Sequence, residues 1–299
     1  MRLTPRTIRP ALVLALITAA SGAHATDRFS DLSVEVVGDG RPVLMIPGLN
    51  SAADTWRETC QALQPQVQCH LVQLPGFAGA PAAKHDAFLP AMRAQLVEYV
   101  RSRKLAKPAV IGHSLGGVLA LQVAVEAPDA VGPLVIVDSL PFFAGVMNPK
   151  ATAASVEPMA AGMRAQMLAA DDATYAKNAE AAVRGMTRDP ARTETLKTWG
   201  RASERATTSQ AMYELMVTDL RPQLSKVKSP TLVLGAWAAY APMGSTKAST
   251  EAIFRTQYAG LDGARIEMSE GGYHFLMWDD PTWLQSNVRD FLAAHPQTN

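Results

Sequence analysis

The chain has 299 residues, 48% of them hydrophobic and 18% charged, with a formal net charge of +1 at neutral pH. That length can bury one large core, or one core with a smaller insertion, and the composition excludes a disordered chain. A charge so close to zero gives no footing for nucleic acid or an anionic membrane surface. Residues 1–25 have the order of a secretory signal peptide: Arg2, Arg6 and Arg9, the apolar stretch Ala11 to Ala20, then small residues ending Ala23-His24-Ala25. The apolar stretch is too short to span a bilayer. The mature protein is therefore expected to begin near Thr26, in the periplasm or the medium, with a net charge of −2 once the three arginines have left. A retained N-terminal anchor is the alternative, and no later stretch is long and apolar enough for a membrane helix.

Asp31 to Val37 alternates and predicts a first strand, ending in Gly38-Asp39-Gly40. Pro42 to Ile46 is a continuous apolar run, as expected of a parallel strand buried on both faces. Pro47-Gly48-Leu49-Asn50-Ser51 follows, then a helix through Trp56 to Leu63, and Cys69 to Leu74 is the next strand. Cys60 falls near the end of that helix and Cys69 in that strand, so the two could bond in an oxidising compartment; two buried free thiols are the alternative. Apolar residues at helical spacing from Ala87 to Lys104 predict a helix that leads to Pro108.

Ala109 to Ile111 reads as a buried strand, Val118 to Val125 as a helix, and between them stands Gly112-His113-Ser114-Leu115-Gly116. A Gly-x-Ser-x-Gly turn between strand and helix strains the serine backbone and presents its hydroxyl at the top of a sheet, beside the helix N-terminal amides. On this motif and its context the chain resembles α/β-hydrolase-fold proteins of the lipase, esterase and peroxidase-like group, over nearly all of the mature chain except its middle. The resemblance implies an α/β fold, a doubly wound and mostly parallel sheet with a helical cap inserted after strand 6 in the family's count.

The remaining elements fit that expectation. Pro133 to Asp138 is an apolar run broken by Ser139-Leu140-Pro141. From Phe142 to Lys228 no good strand appears, and helices are expected around Ala161–Ala169, Ala173–Met186, Pro190–Arg201 and Ser209–Leu220. Asp189-Pro190 is a helix start signal. This gives a first core part at 26–140, a cap at 141–228 and a second core part at 229–299. The cap contains Met147, Met159, Met163, Met167, Met186, Met212 and Met216, which suit either a pocket roof or plain packing. Strands at Ser229–Gly235 and Ala264–Met268, and helices around Ser249–Tyr258 and Pro281–Ala294, complete the chain.

A serine hydroxyl needs a base to activate it and a third group to orient that base. The fold's chain order is Ser, acid, His, and with His295 in the C-terminal tail this leaves His274, in Gly271-Gly272-Tyr273-His274-Phe275 after the last strand. The family most often carries its acid after the seventh strand, but Gly235 to Pro242 holds none, and the expected place falls near Ala239. Some members take the acid from the end of the sixth strand, which makes Asp138 the candidate and Glu270 the fallback. The family's usual His-Gly after the early strand is here Pro47-Gly48, and the oxyanion donors implied are the amides of Leu49 and Leu115. Phe142, Phe143, Trp237, Tyr240 and Phe275 are the candidate apolar pocket walls. The expected reaction is hydrolysis of a carboxylic ester or related acyl bond in a small substrate with an apolar part. Perhydrolysis or lactone opening on the same residues, or a non-catalytic binding protein, are the alternatives. No HExxH, CxxC, acidic calcium loop, P-loop or dinucleotide fingerprint is present, so neither metal nor cofactor is expected.

Overall fold

The computed structural model describes residues 25–146 and 148–297; residues 1–24 of the expected signal peptide, and Met147 of the expected cap, lie outside the described residues. In chain order the first half contains β1 (Ala25–Phe29), β2 (Leu32–Val37), β3 (Arg41–Ile46), α1 (Arg57–Leu63), β4 (Val67–Gln73), α2 (Phe88–Ser102), β5 (Ala109–His113), α3 (Leu115–Glu126) and β6 (Leu134–Val137). Four helices follow: α4 (Ala153–Ala169), α5 (Asp172–Ala182), α6 (Pro190–Ala202) and α7 (Arg205–Val217). The chain then returns to the sheet with β7 (Thr231–Gly235), α8 (Lys247–Gln257), β8 (Arg265–Met268), α9 (Leu276–Asp279) and α10 (Pro281–Ala294).

The eight strands form one sheet in the order β1-β2-β4-β3-β5-β6-β7-β8. The pairs β1–β2 and β2–β4 are antiparallel, and every pair from β3 to β8 is parallel. The doubly wound expectation therefore holds. One strand was not anticipated: Ala25–Phe29 forms an edge strand, because pairing with β2 satisfies a backbone whose side chains carry no strong alternation.

The apolar runs are buried on both faces, as their continuity requires. Leu44, Ile46, Val110, Leu134, Ile136 and Val233 face a core shared with α2 and α3. Their neighbours Val43, Met45, Ile111, Val135, Val137 and Leu232 face the other layer, with Trp56, Leu284 and Val288. Cys60 and Cys69 are joined by a disulfide, with their Cα atoms 6.1 Å apart.

The first helix of the insertion begins earlier than the sequence suggested. α4 starts at Ala153 rather than near Ala161, because Thr152 and Ser155 form a reciprocal capping box and Pro158 is accommodated within the helix. α7 starts at Arg205, capped by the carboxylate of Glu204 on the amides of Ala206 and Thr207. Glutamate is an uncommon cap, which is why the start was not legible. Asp189 caps α6 as expected. The insertion lies over the C-terminal edge of the sheet, tied there by Glu204 N to Gly76 O, Gly79 N to Ala202 O and Phe275 N to Met186 O. Among the described residues no helix is long and apolar enough to cross a membrane.

Candidate active site

β5 is central, between β3 and β6, and the strand order reverses beside it, so the loops after β3, β5 and β6 converge at one edge. The chain turns from β5 into α3 at Ser114, whose φ is 53° and ψ −121°. A non-glycine residue there is strained and is held only by what surrounds it. Ser114 N donates to Val137 O at 3.0 Å, and Ser139 Oγ donates to Ser114 O at 2.7 Å. The flanking glycines are a steric demand. A Cβ on Gly112 would lie 2.2 Å from Gly116 O, and one on Gly116 would lie 2.3 Å from Ile46 O. Only glycine lets strand and helix pass this closely.

Asp138 ends β6 at a φ of 42°, with its side chain 9% exposed. The parallel register carries the acid into place: Asp138 N donates to Leu234 O at 2.7 Å. Each of its carboxylate oxygens then has a partner. Oδ1 accepts from Ala236 N at 2.8 Å, and Oδ2 accepts from His274 Nδ1 at 2.6 Å. A carboxylate at this site only accepts, so His274 carries its proton on Nδ1 and leaves Nε2 as an acceptor. Glu270 instead points outward, 81% exposed, and pairs with Lys247.

His274 lies beside the serine turn through His113, whose ring centroid is 4.5 Å from that of His274. The fully buried His113 donates Nε2–H to the His274 carbonyl at 3.0 Å, and burial, then the neighbouring His274, holds it well below its ordinary pKa. It is therefore a neutral spacer, a part the motif did not reveal. The histidine loop is further knit by Ser269 Oγ, which accepts from Gly272 N and donates to Asp280. The Asp279 carboxylate takes Tyr273 N, Thr187 Oγ1 and Arg188 N, joining this loop to the insertion.

On the other side of Ser114, Gly48 passes so close that a Cβ there would lie 3.2 Å from Ser114 Cβ. Among the described residues, neither the Leu49 N–H nor the Leu115 N–H is taken by an acceptor. The Ser114 hydroxyl also makes no hydrogen bond among them, as is common in unliganded sites of this type. The arrangement therefore offers a hydroxyl, an oriented imidazole and two unspent backbone donors at one sheet edge.

The candidate pocket walls separate into two kinds. Phe142 is fully buried, with the Arg221 guanidinium 4.6 Å over its ring, and Phe275 is 3% exposed, stacked on Trp278 and against His113. Trp237 is partly buried and donates Nε1 to Ser269 O at 3.0 Å. Phe143 and Tyr240 are about half exposed, at 47% and 48%. A cavity of about 260 Å³ opens within the insertion, lined by Asp172, Tyr175, Arg201, Ser203 and Arg205, and none of the three central residues lines it. Among the described residues no group of three His, Cys, Asp or Glu side chains is placed to hold a metal.

The comparisons with known proteins bear on the fold and the family. A stretch of 115 residues is 32% identical to pimeloyl-(acyl-carrier protein) methyl ester esterase of Vibrio campbellii, covering 38% of this chain and 43% of the relative. The match thus spans less than half of that curated relative. A hydrolase from Pseudomonas aeruginosa superposes with a TM-score of 0.73 at 18% identity, covering 91% of this chain and 99% of that one. The enol-lactonase from Burkholderia xenovorans gives 0.71 at 15% identity, covering 90% and 100%. These structural likenesses speak for the fold alone. The model of the alpha/beta hydrolase family matches residues 43–284, from the third strand into the last helix, and the chain belongs to that family.

Proposed function

We propose that the protein is a serine hydrolase that cleaves a carboxylic ester, or a related acyl bond, through Ser114, His274 and Asp138. The observation that carries this reading is the doubly held carboxylate: Asp138 is fixed by Ala236 N on one oxygen and orients His274 with the other. In this reading Asp138 keeps Nε2 of His274 free, and His274 takes the proton from Ser114 as its oxygen attacks the acyl carbon. The amides of Leu49 and Leu115 receive the negative charge that builds on the carbonyl oxygen. The tetrahedral adduct collapses to an acyl-enzyme, and His274 returns the proton to the leaving alcohol. Water activated by the same imidazole then releases the acid.

The substrate in this reading is a small molecule with an apolar part, covered by residues 141–228 acting as a cap. The Vibrio relative is named for a methyl ester, so methyl esters belong among the substrates tested. Residues 1–25 act as an export signal and the mature chain works in the periplasm or outside the cell. Its disulfide suits such a compartment.

Labelling of the purified mature protein with a fluorophosphonate probe, followed by a panel of p-nitrophenyl esters from acetate to palmitate, tests the reading. Ser114 should carry the probe, and Ser114→Ala should lose both labelling and turnover. A folded wild-type protein that resists the probe and hydrolyses no ester would identify a binding protein instead.

A further inference from the structure

The loop that presents Leu49 is a four-residue turn. Ser51 N donates to Gly48 O at 3.2 Å, and Asn50, at the third position, has a φ of 56°. A positive φ at the third position is the demand of a type II turn. Asparagine tolerates it better than other side chains, yet at a cost. What holds it is not local. Asn50 Oδ1 accepts a hydrogen bond of 2.7 Å from Thr208 Oγ1, 158 residues away on α7. Thr208 is 3% exposed and Asn50 is partly buried, so the bond is partly shielded from water. Ser51 Oγ also donates to Leu49 O at 3.2 Å, a second bond within the same turn.

We propose that Thr208 is a positioning residue for the reaction: through Asn50 it fixes the turn whose Leu49 amide receives the oxyanion. The inference rests on the serine-hydrolase reading above. Its physical content is that the insertion does more than cover the site. The insertion supplies one of the constraints that aim a transition-state donor, while Thr208 itself touches neither substrate nor reacting atoms. A donor displaced by a fraction of an ångström binds the ground state nearly as before and the tetrahedral state less well, so the loss falls on turnover.

The test is steady-state kinetics of Thr208→Val, Thr208→Ser and Asn50→Gly on the ester that the wild-type protein cleaves best, with thermal unfolding of each. Valine keeps the shape of threonine without the hydroxyl. Its kcat should fall by about 5- to 20-fold with KM within about twofold, less than the loss of a direct oxyanion donor. Serine keeps the hydroxyl and should restore kcat to within about twofold of wild type. Asn50→Gly permits the positive φ but removes the acceptor, so it should reproduce the valine effect even if valine disturbs folding. Wild-type kcat in folded Thr208→Val and Asn50→Gly would overturn the proposal. So would a change confined to KM, or a serine variant as slow as valine. A wild-type protein that neither labels nor turns over would instead remove the hydrolase reading, and this inference with it.

Discussion

The sheet and the helical insertion are built on different physical terms. In β3, β5, β6 and β7 nearly every apolar side chain is fully buried, and two cores press on the sheet from opposite faces. In the insertion, α4 buries only Val156 and Ala160, α5 buries nothing, and Met159, Met163 and Leu168 remain 53%, 40% and 47% exposed. α6 and α7 are the exceptions, since Leu196 reaches one of the two cores and Ala211 and Leu215 the other. What otherwise fastens the insertion is a set of polar ties. Glu214 accepts from Phe88 N and Leu89 N at the start of α2, Thr208 donates to Asn50, and Thr187 and Arg188 donate to Asp279. The close-packed half can hold strained residues such as Ser114 and Asp138 at fixed positions. The looser half can change its side chains without disturbing them.

The largest expected effect lies in the close-packed half. Asp138→Asn should leave the protein folded and lower turnover by roughly two to four orders of magnitude, since the imidazole loses the partner that fixes its tautomer. Glu270→Gln, which breaks only an exposed pair with Lys247, should change turnover by less than about threefold. Ala239→Asp added to Asp138→Asn should return part of the activity. Near-normal turnover in Asp138→Asn with collapse in Glu270→Gln would show the acid to be wrongly assigned.

Next comes stability. Leu119 is fully buried under the sheet, and Leu119→Ala should cost about 2–5 kcal/mol in chemical denaturation. Met159→Ala, on the open face of α4, should stay within about 0.5 kcal/mol. Equal costs would erase the distinction between the two halves.

A third effect is pH-dependent and belongs to the sheet. His70 on β4 accepts from the Tyr99 hydroxyl through Nδ1 at 2.8 Å and donates to Gln68 through Nε2 at 3.2 Å. Burial lowers its pKa from 6.5 to about 4. The unfolded chain binds a proton at His70 below pH 6.5 that the native protein refuses until about pH 4. Its contribution is thus complete above the upper value and is lost as the pH falls toward the lower one, amounting to about 3 kcal/mol at most. Unfolding of wild type and His70→Asn between pH 7 and pH 4 checks this. The stability gap between them should narrow on acidification, and a constant gap would refute it.

The smallest effect tests the insertion. Met163→Ala should shift the preferred acyl length by a few-fold while the unfolding midpoint barely moves, as expected of a flexible side chain at a half-open surface. A substrate profile left unchanged across several such methionine variants would reduce the insertion to plain packing.

Whatever depended on neighbours in the chain was readable from the chain. The turn at Ser114 is forced by glycines two residues to either side, the start of α6 by Asp189-Pro190, and the buried strands by unbroken apolar runs. With no acid near Ala239, the sequence leaves Asp138 as the candidate, and its carboxylate accepts from His274. The tertiary structure decided the rest. It supplied the edge strand β1, the Ala236 amide that holds the acid, the neutral His113 against His274, and the bond from Thr208 to Asn50. The last three join groups far apart in sequence, through a backbone amide or a common side chain that no local pattern marks, whereas β1 pairs with the strand that follows it. The turn at Ser114 is marked by its own glycines, which the sequence states directly. A hydrogen bond across 158 residues exists only once the sheet register and helix packing have brought its ends together.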